Sequence, residues 1–149
     1  EKAPELVQEI IEAGHLVGNH SYHHLIDSRG SMKNVRNDLK LCQDLITDIT
    51  GQPPVYYRPP GGRLRLDTLL IPPTIGLQTV SWSASASDYS CPSQEQALAM
   101  AGEMTKTIKN GDIILLHDSN PHVLTILDLL LPWLVERGFA TNNVEALKQ

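Results

Sequence analysis

A chain of 149 residues, with 41% hydrophobic and 19% charged residues, is long enough for one domain and has a globular balance, which excludes intrinsic disorder. A formal net charge of −5 with scattered Lys and Arg argues against nucleic acid, whose binders carry a clustered basic face. No apolar run approaches the ~20 residues of a membrane span, Glu1 opens on a helical pattern rather than a signal peptide, and two cysteines cannot build a disulfide framework.

Pro4 to Ala13 reads as a helix, because Pro4 suits a first turn and Leu6/Ile10 and Val7/Ile11 repeat at four, with Gly14 as a left-handed cap. A short apolar strand over 15–19 runs into Gly18-Asn19-His20-Ser21-Tyr22-His23-His24, which packs three histidines into five positions. Ser31 is placed to cap the next helix. Its Met32, Val35, Leu39, Cys42, Ile46 and Ile49 form a 3–4 stripe that Gly51-Gln52-Pro53-Pro54 stops, and Cys42 on that stripe reads as a buried free thiol.

Val55 to Tyr57 reads as a strand leading into Arg58-Pro59-Pro60-Gly61-Gly62, and a weak helix over Leu64 to Ile71 is cut short by Pro72-Pro73. Leu77 to Trp82 is the third expected strand, followed by a Ser/Ala-rich loop with Asp88 and Tyr89. Ser93 and Gln96 suggest a capping box for a helix bearing Ala97, Ala101, Met104 and Ile108 and closed by Gly111. Asp112 to Leu116 has the unbroken apolar run of a buried parallel strand, and His117-Asp118 follow it directly. A helix over His122 to Arg137, kinked at Pro132, a fifth strand over Phe139 to Thr141 and a helical turn over Val144 to Lys148 complete the pattern. Strands alternate with helices and there are no repeats or linkers, so the expectation is one α/β domain over 1–149 with parallel strands and right-handed crossovers.

Each of the first four expected strands ends in chemistry: His20 and His24, then Arg58, then Asp88 across a short loop, then His117. Each has a plain reading by itself: a polar loop, a surface cation, a turn residue, a helix cap. In parallel α/β folds, however, the carboxyl ends of the strands share one face where ligands bind. Two imidazoles at metal-ligand spacing, a cation, an acid and a further His on one rim have the makings of a hydrolytic site.

The ordered motifs H-S-x-x-H, R-P-P-x-G, W-x-x-x-x-x-D-aromatic and I-I-L-L-H-D, with Glu-Arg-Gly-Phe near the end, resemble the polysaccharide deacetylases, the carbohydrate esterases with a NodB homology domain. The resemblance covers nearly the whole chain. It implies a distorted (β/α) barrel and one divalent metal ion, usually zinc, with His20 and His24 as two of its ligands; His23 matches no ligand position. It implies that Arg58 steadies a catalytic base, that Asp88 orients a catalytic His117, that the Gly61 backbone faces an oxyanion, and that Leu115 lines the pocket for the acetyl methyl group. Tyr89 stands where the family usually has Trp, and Gly61 where it often has Tyr.

The physical logic is consistent: a metal polarises the acetyl carbonyl and activates water, a carboxylate takes the proton, and the imidazole protonates the departing amine. One departure matters. The family opens with T-F-D-D, the source of its base and third metal ligand, and this sequence contains no Asp-Asp pair. The expectation is therefore a domain incomplete on its amino-terminal side, weakly active or inactive alone, with a partial barrel whose exposed edge at 15–19 invites self-association. The implied substrate is an acetylated glycan such as chitin or peptidoglycan, met in a secreted or cell-surface setting. A non-catalytic carbohydrate-binding relative and a small-molecule amidohydrolase on the same scaffold are the competing readings.

Overall fold

A computed structural model describes residues 3–24 and 31–141 of the chain. It divides into two compact units, Glu1–Ser81 and Trp82–Gln149. Among the described residues no helix is long and apolar enough to cross a membrane.

In the first unit, α1 (Pro4–Glu12) begins at its proline, as expected. None of its residues is buried: Leu6, Ile10 and Ile11 remain exposed. A bond from Gln8 Nε2 to the Ile49 carbonyl, 3.3 Å, ties it to α2 (Met32–Thr50). The long helix ends where Gly51 turns left-handed (φ 72°) and its N–H meets the Thr47 carbonyl at 2.8 Å. The buried part of its stripe is narrower than the spacing suggests. Val35 and Leu39 are buried, Cys42 is half-buried and Met32 is exposed, while the charged Asp38 lies on the buried side.

Strand β1 (Tyr56–Tyr57) pairs in parallel with β2 (Gln78–Thr79), and Tyr57 also forms a parallel bridge to Asn19. The Asn19 N–H reaches the Tyr56 carbonyl at 2.8 Å, and the Arg58 N–H reaches the Asn19 carbonyl at 2.9 Å. The strand expected over 15–19 is thus a single bridge, yet it brings the His loop beside Arg58. Gly18 allows this approach, since a Cβ there would lie 3.2 Å from the Tyr56 carbonyl oxygen. Helix α3 (Leu66–Leu70) gives way to a 3₁₀ turn over Pro72–Ile75, as the proline pair requires. Val35, Leu39, Tyr57, Ile71 and Leu77 form the core.

In the second unit, β3 (Ala84–Ser85) pairs in parallel with β4 (Ile114–Leu115). The single strand expected over 77–82 is therefore a different arrangement: its start is β2 of the first unit, and the strand that partners β4 begins after Trp82. Ser93 caps α4 (Gln94–Thr107) by accepting the Gln96 N–H on Oγ at 3.3 Å. Ala97, Ala101 and Met104 of α4 pack with Ile126, Leu130 and Leu134 of α5 (Val123–Glu136), which carries Pro132 within it.

The fifth strand expected over Phe139 to Thr141 does not form. The Phe139 N–H bonds back to the Leu134 carbonyl at 3.0 Å and its ring stacks on Trp133, so these residues close the end of α5 instead. The helical turn expected over Val144 to Lys148 lies outside the described residues. Parallel strand pairs connected through helices in each unit make the chain α/β, as the alternation of elements implies.

Candidate active site

In the first unit the sequence-predicted residues His20, His24 and Arg58 come together on the loops after the Asn19 bridge and β1. His20 Nδ1 lies 2.7 Å from the Arg58 carbonyl oxygen. Because that oxygen can only accept, Nδ1 carries the proton and Nε2 carries the lone pair, the arrangement in which a metal-ligating imidazole is oriented from behind. The His24 ring stands edge-on to His20, with centroids 5.0 Å apart. Ser21 and His24 both sit at left-handed φ values (71° and 51°), unusual for residues with side chains, so their surroundings must hold the turn.

What holds it is Asp38 of α2, which the sequence reading did not single out. Its carboxylate accepts from Ser21 Oγ, from the N–H groups of Tyr22 (3.0 Å) and His23 (3.1 Å), and from His23 Nδ1 (2.6 Å). Burial by itself would raise the Asp38 pKa, but these bonds outweigh it and hold the carboxyl below the ordinary range. Asn19, also buried, donates from Nδ2 to the Leu39 carbonyl at 2.8 Å and accepts the Ser21 N–H at 2.9 Å. The available signal was a charged residue three positions after Val35, on the face that packs inward. The half-buried Cys42 thiol is pushed up by burial, which keeps it neutral.

Arg58 is half-buried, and that burial lowers its pKa. Gly61 (φ 61°) and Gly62 (φ 65°) form a left-handed turn after it that side chains would resist. Two imidazoles, one held by a backbone carbonyl, are a donor set that suits a divalent ion. Among the described residues no cluster of three or more His, Cys, Asp or Glu completes it.

In the second unit Asp88 and His117 form a pair. Asp88 is wholly buried on a 3₁₀ turn (Asp88–Ser90), and its Oδ2 accepts the His117 N–H at 2.7 Å while Oδ1 lies 3.0 Å from His117 Nδ1. The carboxylate thus fixes both the backbone and the tautomer of His117, whose side chain is 36% exposed. Asn120, a second residue the sequence reading missed, donates to the carbonyls of Asp88 (2.8 Å) and Cys91 (3.0 Å) and accepts the His122 N–H (2.8 Å) just before α5. Tyr89 is exposed with its ring edge-on to His117, and Leu115 is half-buried in β4.

The polysaccharide deacetylase family model matches residues 1–80. The chain belongs to the polysaccharide deacetylase family. Among curated members it is 32% identical over 156 aligned positions to a peptidoglycan-N-acetylglucosamine deacetylase of Bacillus cereus, covering 99% of this chain and 70% of that protein. Other curated relatives are longer, and the chain spans 55% of their length. Among solved structures, a CE4 family pseudoenzyme from Bacillus anthracis is similar at TM-score 0.80 and 25% identity, over 93% of this chain and 48% of that one. A mutant of that protein is described as having restored enzymatic activity. A family 4 acetyl xylan esterase from Clostridium thermocellum, solved with a cobalt ion, is similar at TM-score 0.79 and 25% identity, over 93% of this chain and 66% of that one.

Proposed function

We propose that this chain serves the hydrolytic removal of acetyl groups from the amino or hydroxyl groups of a carbohydrate, with chitin, peptidoglycan or a related polysaccharide as the substrate class. The Asp88–His117 pair carries the reading. A buried carboxylate turned onto Nδ1 leaves Nε2 to hand a proton to a leaving amine or alkoxide, a role that simple glycan binding does not need. Under this reading His20 and His24 would hold one divalent ion, with zinc favoured by the imidazole donors. Such an ion, when bound, supplies polarisation of the acetyl carbonyl and activation of water.

The remaining roles belong to the chain's own side chains and backbone. Arg58 steadies a carboxylate base, the Gly61 backbone faces the oxyanion, Leu115 borders the acetyl methyl group, and the exposed Tyr89 ring meets the sugar. A substrate of this kind places the protein outside the cell or at its surface. The self-association expected at the 15–19 edge finds no support among the described residues and forms no part of the proposal.

The similarity to a CE4 family pseudoenzyme favours a second reading: a glycan-binding relative without turnover. Two measurements separate them. Acetate release from chitin oligomers and peptidoglycan fragments in added zinc is expected to be weak, about 10²–10⁴-fold below that of an enzyme with its general base, and absent in His117→Ala. Zinc titration is expected to show binding that His20→Ala/His24→Ala loses. Glycan binding that is identical in the unmutated chain and His117→Ala, with no acetate released by either, selects the second reading.

A further inference from the structure

The left-handed turn between His20 and His24 needs an external restraint, and one side chain supplies most of it. Asp38 sits on the buried side of α2, 5% exposed, and touches neither histidine by the bonds it makes. Each of its oxygens serves two donors: Oδ2 takes Ser21 Oγ and the Tyr22 N–H, while Oδ1 takes the His23 N–H and His23 Nδ1. All four donors belong to the three residues that separate His20 from His24. One position on, the Leu39 carbonyl accepts from Asn19, so consecutive residues of α2 hold the turn from its start to its end.

We propose that Asp38 is the positioning residue of the cation site, fixing the turn so that His20 and His24 present their rings to one divalent ion. The inference rests on the reading of His20 and His24 as ligands. The physical reason is preorganisation. Ser21 and His24 adopt left-handed backbone conformations that a free pentapeptide populates sparingly, and without Asp38 the two rings would be ordered only as the ion binds. His23 takes its place in the same account: it is spent on Asp38 and is an anchor, not a ligand.

Asp38→Asn keeps the shape but turns one acceptor oxygen into an NH₂ group facing two donors. Cobalt(II) is the probe, because its visible bands report ligand geometry, and affinity is read at temperatures where circular dichroism shows each variant folded. The unmutated chain is expected to give a cobalt spectrum with imidazole ligation, and Asp38→Asn to bind about 10–100-fold more weakly with altered bands. Unchanged affinity and unchanged bands in Asp38→Asn overturn the proposal. If Asp38→Asn does not fold, Ser21→Ala removes one donor and leaves three: weaker cobalt binding supports the proposal, and binding equal to the unmutated chain overturns it. A His20→Ala/His24→Ala chain that binds cobalt like the unmutated one removes the ligand reading itself, an outcome distinct from failure of the Asp38 variant alone.

Discussion

Replacing Asp88 by Asn tests the acid pair with almost no change of volume. The carboxylate is wholly buried and accepts two bonds from one residue, at 2.7 Å from the His117 N–H and 3.0 Å from Nδ1. An amide has a single acceptor oxygen, and the backbone N–H, which cannot change its protonation, claims it. The NH₂ group then faces Nδ1, which must become the acceptor, and the imidazole proton moves to Nε2. One bond to a buried charge is lost, worth about 1.5–3 kcal/mol, or roughly one to two powers of ten in the folding equilibrium. In a catalytically competent protein the inverted tautomer lowers kcat by roughly 10²–10⁴, with KM little changed. Long-range proton–nitrogen NMR correlations of the imidazole read the tautomer directly, and denaturant unfolding reads the stability. An Asp88→Asn chain whose His117 keeps its proton on Nδ1, and whose unfolding midpoint does not move, would refute the assignment.

Gly18→Ala is expected to lower stability by about 1–3 kcal/mol in denaturant unfolding, because the new Cβ meets the Tyr56 carbonyl at 3.2 Å against backbone that cannot easily give. The Asp38 carboxyl titrates below its ordinary value of about 4 in the folded chain, so its contribution to stability is complete above that pH and is lost as pH falls through the lower folded value. Asp38→Asn should accordingly flatten the acid side of the stability profile below about pH 4, measured by thermal unfolding across pH. Ile126→Ala is expected to cost about 2–5 kcal/mol, since Ile126 is wholly buried against α4, whereas Leu124→Ala on the exposed side of the same helix should stay within about 0.5 kcal/mol.

The helices were legible because their signals are local. Proline at the start of α1, the stripe of α2, Ser93 before α4 and the left-handed glycines after the first two helices are short-range features that act within a turn or two. Strand lengths were not legible. An apolar run such as Leu77 to Trp82 marks chain that will be extended, but only a partner decides how much of it pairs; here Gln78–Thr79 pairs in one unit and Ala84–Ser85 in the other. Phe139 to Thr141 failed for the same reason: the Phe139 N–H is taken by the Leu134 carbonyl in the last turn of α5 and not by a strand partner.

The candidate ligands and the acid pair could be named from the sequence, since His20, His24, Arg58, Asp88 and His117 are chemically loaded residues in ordered motifs that resemble one family. Their supports could not. Asp38 lies 15 positions beyond His23 on another element, and Asn120 lies 32 beyond Asp88, so neither partnership has a spacing rule. The sequence by itself determined which residues are candidates for the chemistry, because reactivity belongs to side-chain type and to close neighbours in the chain. Only the tertiary structure decided what those residues rest on, because a buried acceptor is chosen by whichever donors the fold brings within about 3 Å of it.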